Sequence, residues 1–198
     1  EVAQGRLEML LNFQQMIIDF TGMDIANASL LDEGTAAAEA MGLSNRLNSK
    51  DSKTVFISND CHPQTINVIQ TRAEPMGLKI VIGNDNELNK LSEDLVCGIL
   101  QYPGTLGDIK DPSESISKIH KKNGKAILLC DLLALAKLKT PGELGADIAV
   151  GNSQRFGIPM GYGGPHAAFF ATKDEYKRSM PGRIIGVSVD RNGNKAYR

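Results

Sequence analysis

Hydrophobic positions follow a helical period at the start of the chain and gather into short runs further along. Between Gly5 and Phe20, leucine and isoleucine recur at helical spacing, and Gly22 follows as a candidate stop signal. An alanine-rich segment at residues 34–41 predicts a second helix, because alanine has the highest helix propensity.

Beyond these two helices, apolar runs alternate with segments of helical character. The predicted strands are 55–57, 78–82, 95–100, 126–130, 147–150 and 167–170, and the predicted helices are 63–72 and 111–122. The run at 126–130 is apolar throughout, as expected of a strand buried on both faces. This alternation predicts an α/β fold with a mostly parallel sheet flanked by helices.

Composition and charge exclude several classes of function. The chain has 198 residues, of which 41% are hydrophobic, and 22 basic residues against 23 acidic ones leave a net charge of −1. This balance predicts no nucleic-acid partner, and the absence of a long apolar run predicts no membrane partner. The cysteines (Cys61, Cys97 and Cys130) are too widely spaced for a disulfide framework or a zinc site, so we expect an intracellular protein without a metal.

Candidate chemistry lies where the predicted strands end, since ligands of such sheets bind at the carboxyl ends of the strands. Asp131 follows the buried strand and is either a partner for a cationic cofactor nitrogen or the cap of the next helix. His62 either stacks on a planar ring or is a loop histidine before Pro63. Gly34 and Thr35 either form an anion cradle at a helix start or simply begin that helix.

A glycine-rich segment precedes the last predicted strand. Gly161, Gly163 and Gly164 lie between Pro159 and Pro165, which is typical of a loop that lets a ligand or another chain approach closely. A plain β-turn region is the alternative.

The order of these features resembles the large domain of fold-type I pyridoxal-phosphate-dependent transferases. The individual segments closely resemble the glycine decarboxylase (P-protein) family of the glycine cleavage system, in its amino-terminal half or subunit 1. These segments are LLDEGTAAAEA (30–40), CHPQTI (61–66), DLLAL (131–135), SQRFGIP (153–159) and GYGGPHAAFF (161–170). The chain begins without methionine and stops without a closing helix, so we expect residues 1–198 to be a single, truncated large domain that lacks the small C-terminal domain.

The resemblance implies a reaction and a set of partners. Family members decarboxylate glycine with pyridoxal phosphate and transfer the aminomethyl group to the lipoyl arm of H-protein. The implied partners are the catalytic carboxyl-terminal half or subunit 2 and lipoylated H-protein, in a homodimer or heterotetramer. The implied location is the cytoplasm in bacteria and the mitochondrial matrix in eukaryotes.

The residue that holds the cofactor covalently in such enzymes is missing from this chain. The resemblance places that lysine near Ser153, Gln154 and Arg155, and no lysine occurs between Lys139 and Lys173. Glutamine cannot form the covalent bond, and arginine stays protonated. We therefore expect the other half to bind the cofactor, although Gly34, Thr35, His62 and Asp131 resemble cofactor-pocket positions.

We expect this half to line part of the active site and to contact the catalytic half. Arg155, which has no obvious local partner in the sequence, is the main interface candidate, together with Ser153 and the loop glycines Gly161, Gly163 and Gly164. Three alternatives stay open. They are a self-sufficient pyridoxal-phosphate lyase or aminotransferase that uses Lys137 or Lys139, a dinucleotide-binding or scaffold domain, and a purely structural pseudo-enzyme half.

Overall fold

A seven-stranded sheet forms the centre of the molecule. The structure, a computed structural model, describes residues 3–198. The strands are β1 (Ile25–Ala26), β2 (Thr54–Ser58), β3 (Lys79–Gly83), β4 (Leu95–Tyr102), β5 (Lys125–Cys130), β6 (Ile148–Asn152) and β7 (Ala168–Thr172), followed by a separate hairpin of β8 (Val187–Val189) and β9 (Lys195–Tyr197). The helices are α1 (Gln4–Thr21), α2 (Glu33–Arg46), α3 (Pro63–Ala73), α4 (Ser113–Lys121) and α5 (Leu132–Leu135).

The sheet is mostly parallel, as the sequence predicts. Its strand order is β1-β7-β6-β5-β4-β2-β3. The pairs from β3 through β2, β4 and β5 to β6 are parallel, and β7 pairs antiparallel with both β6 and β1. The α/β class is therefore confirmed, together with all six predicted strands and all four predicted helices, to within a few residues at their ends.

Helices cover both faces of the sheet. Strand β5 contributes Ile127 and Leu129 to the core shared with α2 and α3, and Leu128 to the core shared with α1, α4 and α5. All these positions are fully buried, which explains why the strand is apolar throughout instead of alternating. Gly98 lets α4 approach β4 closely, since a Cβ at this position would lie 2.4 Å from the Ile119 side chain.

Two features of the fold escaped the sequence analysis. Strand β1 has two residues, too few for any hydrophobic period, and it exists because it pairs with β7. The β8–β9 hairpin has a partly exposed, mixed sequence, with an Asp190-centred turn between its strands. No helix of the described residues is long and apolar enough to cross a membrane.

Asp147 organises the edge of the sheet where β5 and β6 begin. Its carboxylate accepts hydrogen bonds from His120 Nε2 (2.7 Å), Lys173 Nζ (2.6 Å) and the Ala126 N–H (2.8 Å). Burial by itself would raise the pKa of Asp147, but the hydrogen bonds from His120, Lys173 and Ala126 outweigh it and lower the pKa to about 2.

Replacing this carboxylate should destabilise the fold. We expect Asp147→Asn to lower the free energy of unfolding by about 2 kcal/mol at neutral pH, because two charge-assisted hydrogen bonds are lost. The folded-state pKa lies below the unfolded value, so the ionised carboxylate's contribution is present above about pH 4 and is lost as the pH falls through 2. Urea unfolding at several pH values measures both effects.

Asp174→Asn is the matched control, since Asp174 is exposed and pairs only with Lys177. Its effect should stay within about 0.5 kcal/mol. Equal losses in the two variants would contradict the structural role assigned to Asp147.

Candidate functional site

A cleft opens at the edge of the sheet where the parallel strands end. It has a volume of about 420 Å³, and its lining includes Glu33, His62, Gln101, Asp131, Gln154 and Arg155. Strands β4, β5 and β6 end here, and helices α2 and α3 begin here. The parallel register therefore brings together side chains that are far apart in sequence, as expected of this class of sheet.

A second cleft of about 430 Å³ adjoins the first. The two clefts share Glu33, His62, Asn152 and Gln154, and Gly34, Gly163 and His166 line only the second. The candidate residues Gly34, His62, Asp131, Gln154, Arg155 and Gly163 thus meet in one place. Thr35, Ser153, Gly161 and Gly164 lie beside it without lining either cleft.

Asp131 is held by two local contacts. One carboxylate oxygen accepts the Leu133 N–H at 2.9 Å and caps α5, so the helix-cap alternative is confirmed. The other oxygen accepts a hydrogen bond from Arg155 Nη1 at 2.7 Å. The expectation that Arg155 lacks a local partner is therefore wrong, because the fold brings the ends of β5 and β6 together and sequence separation hides that contact.

His62 is oriented by a chain of two hydrogen bonds. The Thr105 hydroxyl donates to the Asp60 carbonyl at 2.8 Å, so its oxygen accepts from His62 Nδ1–H, also at 2.8 Å. Burial lowers the pKa of His62, which keeps the ring neutral at neutral pH. The Nε2 atom of this tautomer is a hydrogen-bond acceptor.

The start of α2 carries carboxylates where an anion cradle would need free N–H groups. Asp32 Oδ1 accepts the Thr35 N–H at 2.7 Å, and Glu33 occupies the first position of the helix. Two acidic side chains at this terminus repel an anion and occupy a donor that a phosphate group would use. The simple helix-start interpretation of Gly34 and Thr35 agrees with this geometry.

Glu33 is a site residue that the sequence analysis missed. Burial and, to a smaller extent, the nearby charges of Asp131 and Asp32 raise the pKa of this carboxyl to about 7, and a long 3.5 Å hydrogen bond from the Thr65 hydroxyl only partly offsets them. An acidic residue in the first turn of a helix is common, because it interacts favourably with the helix dipole. Only the tertiary structure shows that this one lies partly buried in a cleft.

The glycine-rich loop is anchored to the site through the residues before it. Gln154 Nε2 donates to the Gly163 carbonyl at 3.0 Å, and the Ser153 hydroxyl donates to the Ala167 carbonyl at 3.0 Å. Gly164 has a φ of 55°, and a Cβ there would lie 2.6 Å from the Pro159 carbonyl oxygen. This loop requires glycine at that position for both reasons.

The cleft does not fit covalently bound pyridoxal phosphate. The position expected for a lysine holds Gln154, which is bonded to the loop, and no lysine lines either cleft. Asp131, the expected partner of the cofactor nitrogen, is paired with Arg155. Residues 3–198 also contain no group of three potential metal ligands.

Known structures with this fold define the class of protein. The fold matches methionine gamma lyase from Micromonospora echinospora with a TM-score of 0.68 and 16% identity, over 84% of this chain and 44% of that chain. This likeness, at low identity, places the chain in the fold of the fold-type I pyridoxal-phosphate-dependent enzymes.

The particular family follows from stronger matches. The model of the glycine cleavage system P-protein family matches residues 1–198, and the chain belongs to that family. A solved structure of glycine decarboxylase (P-protein), in inhibitor-bound form, matches with a TM-score of 0.92 and 35% identity, over 100% of this chain and 46% of that chain.

Two curated relatives are similar over the whole chain. Glycine dehydrogenase (decarboxylating) of Pelagibacter ubique strain HTCC1062 is 81% identical, and that of Cereibacter sphaeroides strain KD131 is 57% identical. The chain spans 21% and 20% of their lengths, and it corresponds to the amino-terminal part of the longer protein.

The burial of Glu33 predicts a pH-dependent effect on stability. The folded-state pKa of about 7 lies above the ordinary value of 4.5, so the folded state is favoured at low pH and loses stability as the pH rises through 7. Glu33→Gln removes this penalty. We expect the variant to be more stable than the parent protein by on the order of 2 kcal/mol at pH 8 and nearly equal to it at pH 4.

Glu39→Gln on the same helix is the control, because Glu39 is paired with Arg72 at the surface and should have little effect. Thermal unfolding of both variants at the two pH values gives the comparison. A Glu33→Gln variant that is less stable at pH 8 would show that the carboxylate is stabilised by contacts not seen here.

Proposed function

We propose that this chain is the amino-terminal part of a glycine dehydrogenase (decarboxylating), the pyridoxal-phosphate-dependent P-protein of the glycine cleavage system. The whole enzyme would decarboxylate glycine and transfer the aminomethyl group to the lipoyl arm of H-protein. The observation that carries this proposal is the 81% identity over the entire chain to a relative of that name.

We assign the cofactor to the remaining part of the longer protein. In the whole enzyme, pyridoxal phosphate would serve as the electron sink for decarboxylation. The absence of lysine from both clefts and the carboxylates at the start of α2 support this division. In this proposal residues 1–198 are a truncated large domain without the small C-terminal domain, and the isolated chain is inactive.

The surface around the cleft supports pairing with another chain or with the rest of the polypeptide. Large apolar side chains are exposed on the segments that border it, and a surface of this kind marks a protein contact. They are Leu31, Leu106, Ile109, Leu133, Phe156, Ile158, Met160 and Tyr162. We propose that this apolar rim contacts the catalytic half, and that Ser153, Arg155 and the loop glycines Gly161, Gly163 and Gly164 lie at the same interface.

The proposed assembly is a homodimer, or a heterotetramer if the halves are separate subunits, with lipoylated H-protein as the carrier. Relatives from bacteria such as Pelagibacter ubique favour the cytoplasm as the location. These assignments rest on the family.

The alternatives differ in which residues do chemistry. A self-sufficient lyase or aminotransferase would need Lys137 or Lys139, but neither lines a cleft, and Lys139 lies 3.7 Å from Asp111. A dinucleotide-binding role finds no support in the family match. A purely structural half differs from our proposal only in having no residue that contacts substrate or carrier.

The test is release of labelled CO2 from glycine by the full-length protein with lipoylated H-protein. We expect activity from the full-length protein and none from residues 1–198. Borohydride reduction of the loaded enzyme, followed by peptide mapping, should place the cofactor on a lysine outside this chain. An adduct on Lys137 or Lys139, or transamination without CO2 release, would overturn the proposal.

Arg155 allows a separate test of the interface. If it contacts the catalytic half, Arg155→Ala in the full-length protein should weaken assembly or transition-state binding by more than about 1 kcal/mol, as interface arginines commonly do. Asp131→Asn is the control, because it removes the local ion pair and leaves Arg155 in place. Equal effects of the two variants, by sedimentation and by CO2 release, would limit Arg155 to a local role.

A further inference from the structure

Glu33 is the acidic group of the cleft whose charge is not compensated. The other carboxylate lining it, Asp131, is neutralised by Arg155 at 2.7 Å. No cationic side chain of residues 3–198 forms an ion pair with Glu33. When Glu33 is ionised, the cleft therefore holds a net negative charge in a place partly shielded from water.

The polar groups around this charge have room for another contact. Glu33 Oε1 has only the long 3.5 Å hydrogen bond from Thr65, and Glu33 Oε2 accepts none from the described residues. The side-chain amide of Gln101 lines the same cleft, and its Oε1 is buried without a hydrogen-bond partner among those residues. A 180° rotation of the Gln101 amide group would exchange the positions of its oxygen and nitrogen at the cleft.

We propose that this cleft is a binding site for a small organic ammonium ion, held by the Glu33 carboxylate and by the amide of Gln101. An N–H group of such a ligand would donate to Glu33 Oε2, and the amide oxygen of Gln101 would lie against the positively charged group. Its positive charge would neutralise the unpaired charge of Glu33.

Other classes of ligand fit this cleft less well. Anions, including phosphate esters, would meet the unpaired charge of Glu33 in this cleft and that of Asp32 in the adjoining one. An inorganic divalent cation needs about six oxygen ligands, and the described residues contain no group of three metal-ligating side chains. The volume of about 420 Å³ accommodates a small organic molecule.

Binding should depend on pH through Glu33. Burial raises the pKa of this carboxyl to about 7, and an ammonium ion binds the ionised form. If only that form binds, affinity increases about tenfold from pH 6 to pH 8. The titratable and charged groups that face Glu33 from the neighbouring elements are Asp32, Cys61, His62, Cys130, Asp131, Arg155 and His166.

His62 does not account for such a dependence. Burial lowers its pKa below the ordinary value, and its Nδ1 is bonded to Thr105, so the ring is neutral at pH 7 and above, and any dependence of affinity between pH 7 and pH 8 comes from another group. Burial also raises the pKa of the Cys61 and Cys130 thiols, which therefore stay protonated.

The experiment uses trimethylammonium as the probe and the full-length protein that contains this chain, loaded with its cofactor. A tertiary amine cannot form an imine with the cofactor aldehyde, so binding at the reactive centre is not mistaken for binding here. Saturation-transfer NMR and calorimetric titration at pH 6, 7 and 8 give the affinity. Neutral tert-butanol, of similar shape, controls for apolar binding.

We expect saturable binding that strengthens about tenfold from pH 6 to pH 8 and that exceeds the binding of tert-butanol. Glu33→Gln should weaken it at least tenfold and abolish its pH dependence, Gln101→Met should weaken it and keep the pH dependence, and Glu39→Gln should leave it unchanged. The cofactor absorbance should not change on titration.

Three results would overturn the proposal. One is no saturable binding, as expected if a lysine or arginine from another segment fills the cleft. Another is a flat pH profile in the parent protein, which needs no variant to measure. The third is unchanged affinity in a folded Glu33→Gln protein, which would place the probe elsewhere. None of these bears on glycine decarboxylation, which the CO2-release assay tests separately.

Discussion

The parallel pairing of β4, β5 and β6 is the constraint on which the cleft depends. Each pair sets the register of its neighbour, so all three strands end at the same edge and deliver Gln101, Asp131 and Asn152 to it. Helices on both faces bury these strands, so their side chains are apolar. Polar side chains that can contact a ligand therefore lie at the strand ends. Asp147 at the opposite edge ties β5 and β6 together through the Ala126 N–H and a neighbouring lysine.

The charged side chains at this edge of the sheet determine which ligands the cleft can bind. An ion pair joins Asp131, the residue that the sequence offered for a cofactor, to Arg155, which remains partly exposed. Carboxylates at the start of α2 make that helix terminus unfavourable for phosphate although its backbone geometry is ordinary. The chain thus has the fold of a pyridoxal-phosphate enzyme, but the carboxylates at the start of α2 are unfavourable for a phosphate group.

The greater length of the other family members is relevant to the charges of this cleft. Members are much longer than this chain, and a surface with an apolar rim around a polar cleft is suited to contact with the remaining part. In our proposal this half does not hold the cofactor. It can therefore keep an unpaired carboxylate such as Glu33, which would repel the phosphate group at a cofactor site.

The sequence by itself determined the order and type of the main elements, the parallel sheet and the positions of Asp131, His62 and the glycine-rich loop, because hydrophobic period and turn residues act locally. It also showed that no lysine occurs between Lys139 and Lys173. Only the tertiary structure decided that Arg155 pairs with Asp131, that β1 is a strand and that Glu33 is partly buried without a cation. Each of these depends on residues that are far apart in sequence, and burial and charge pairing arise only when the strands bring them together.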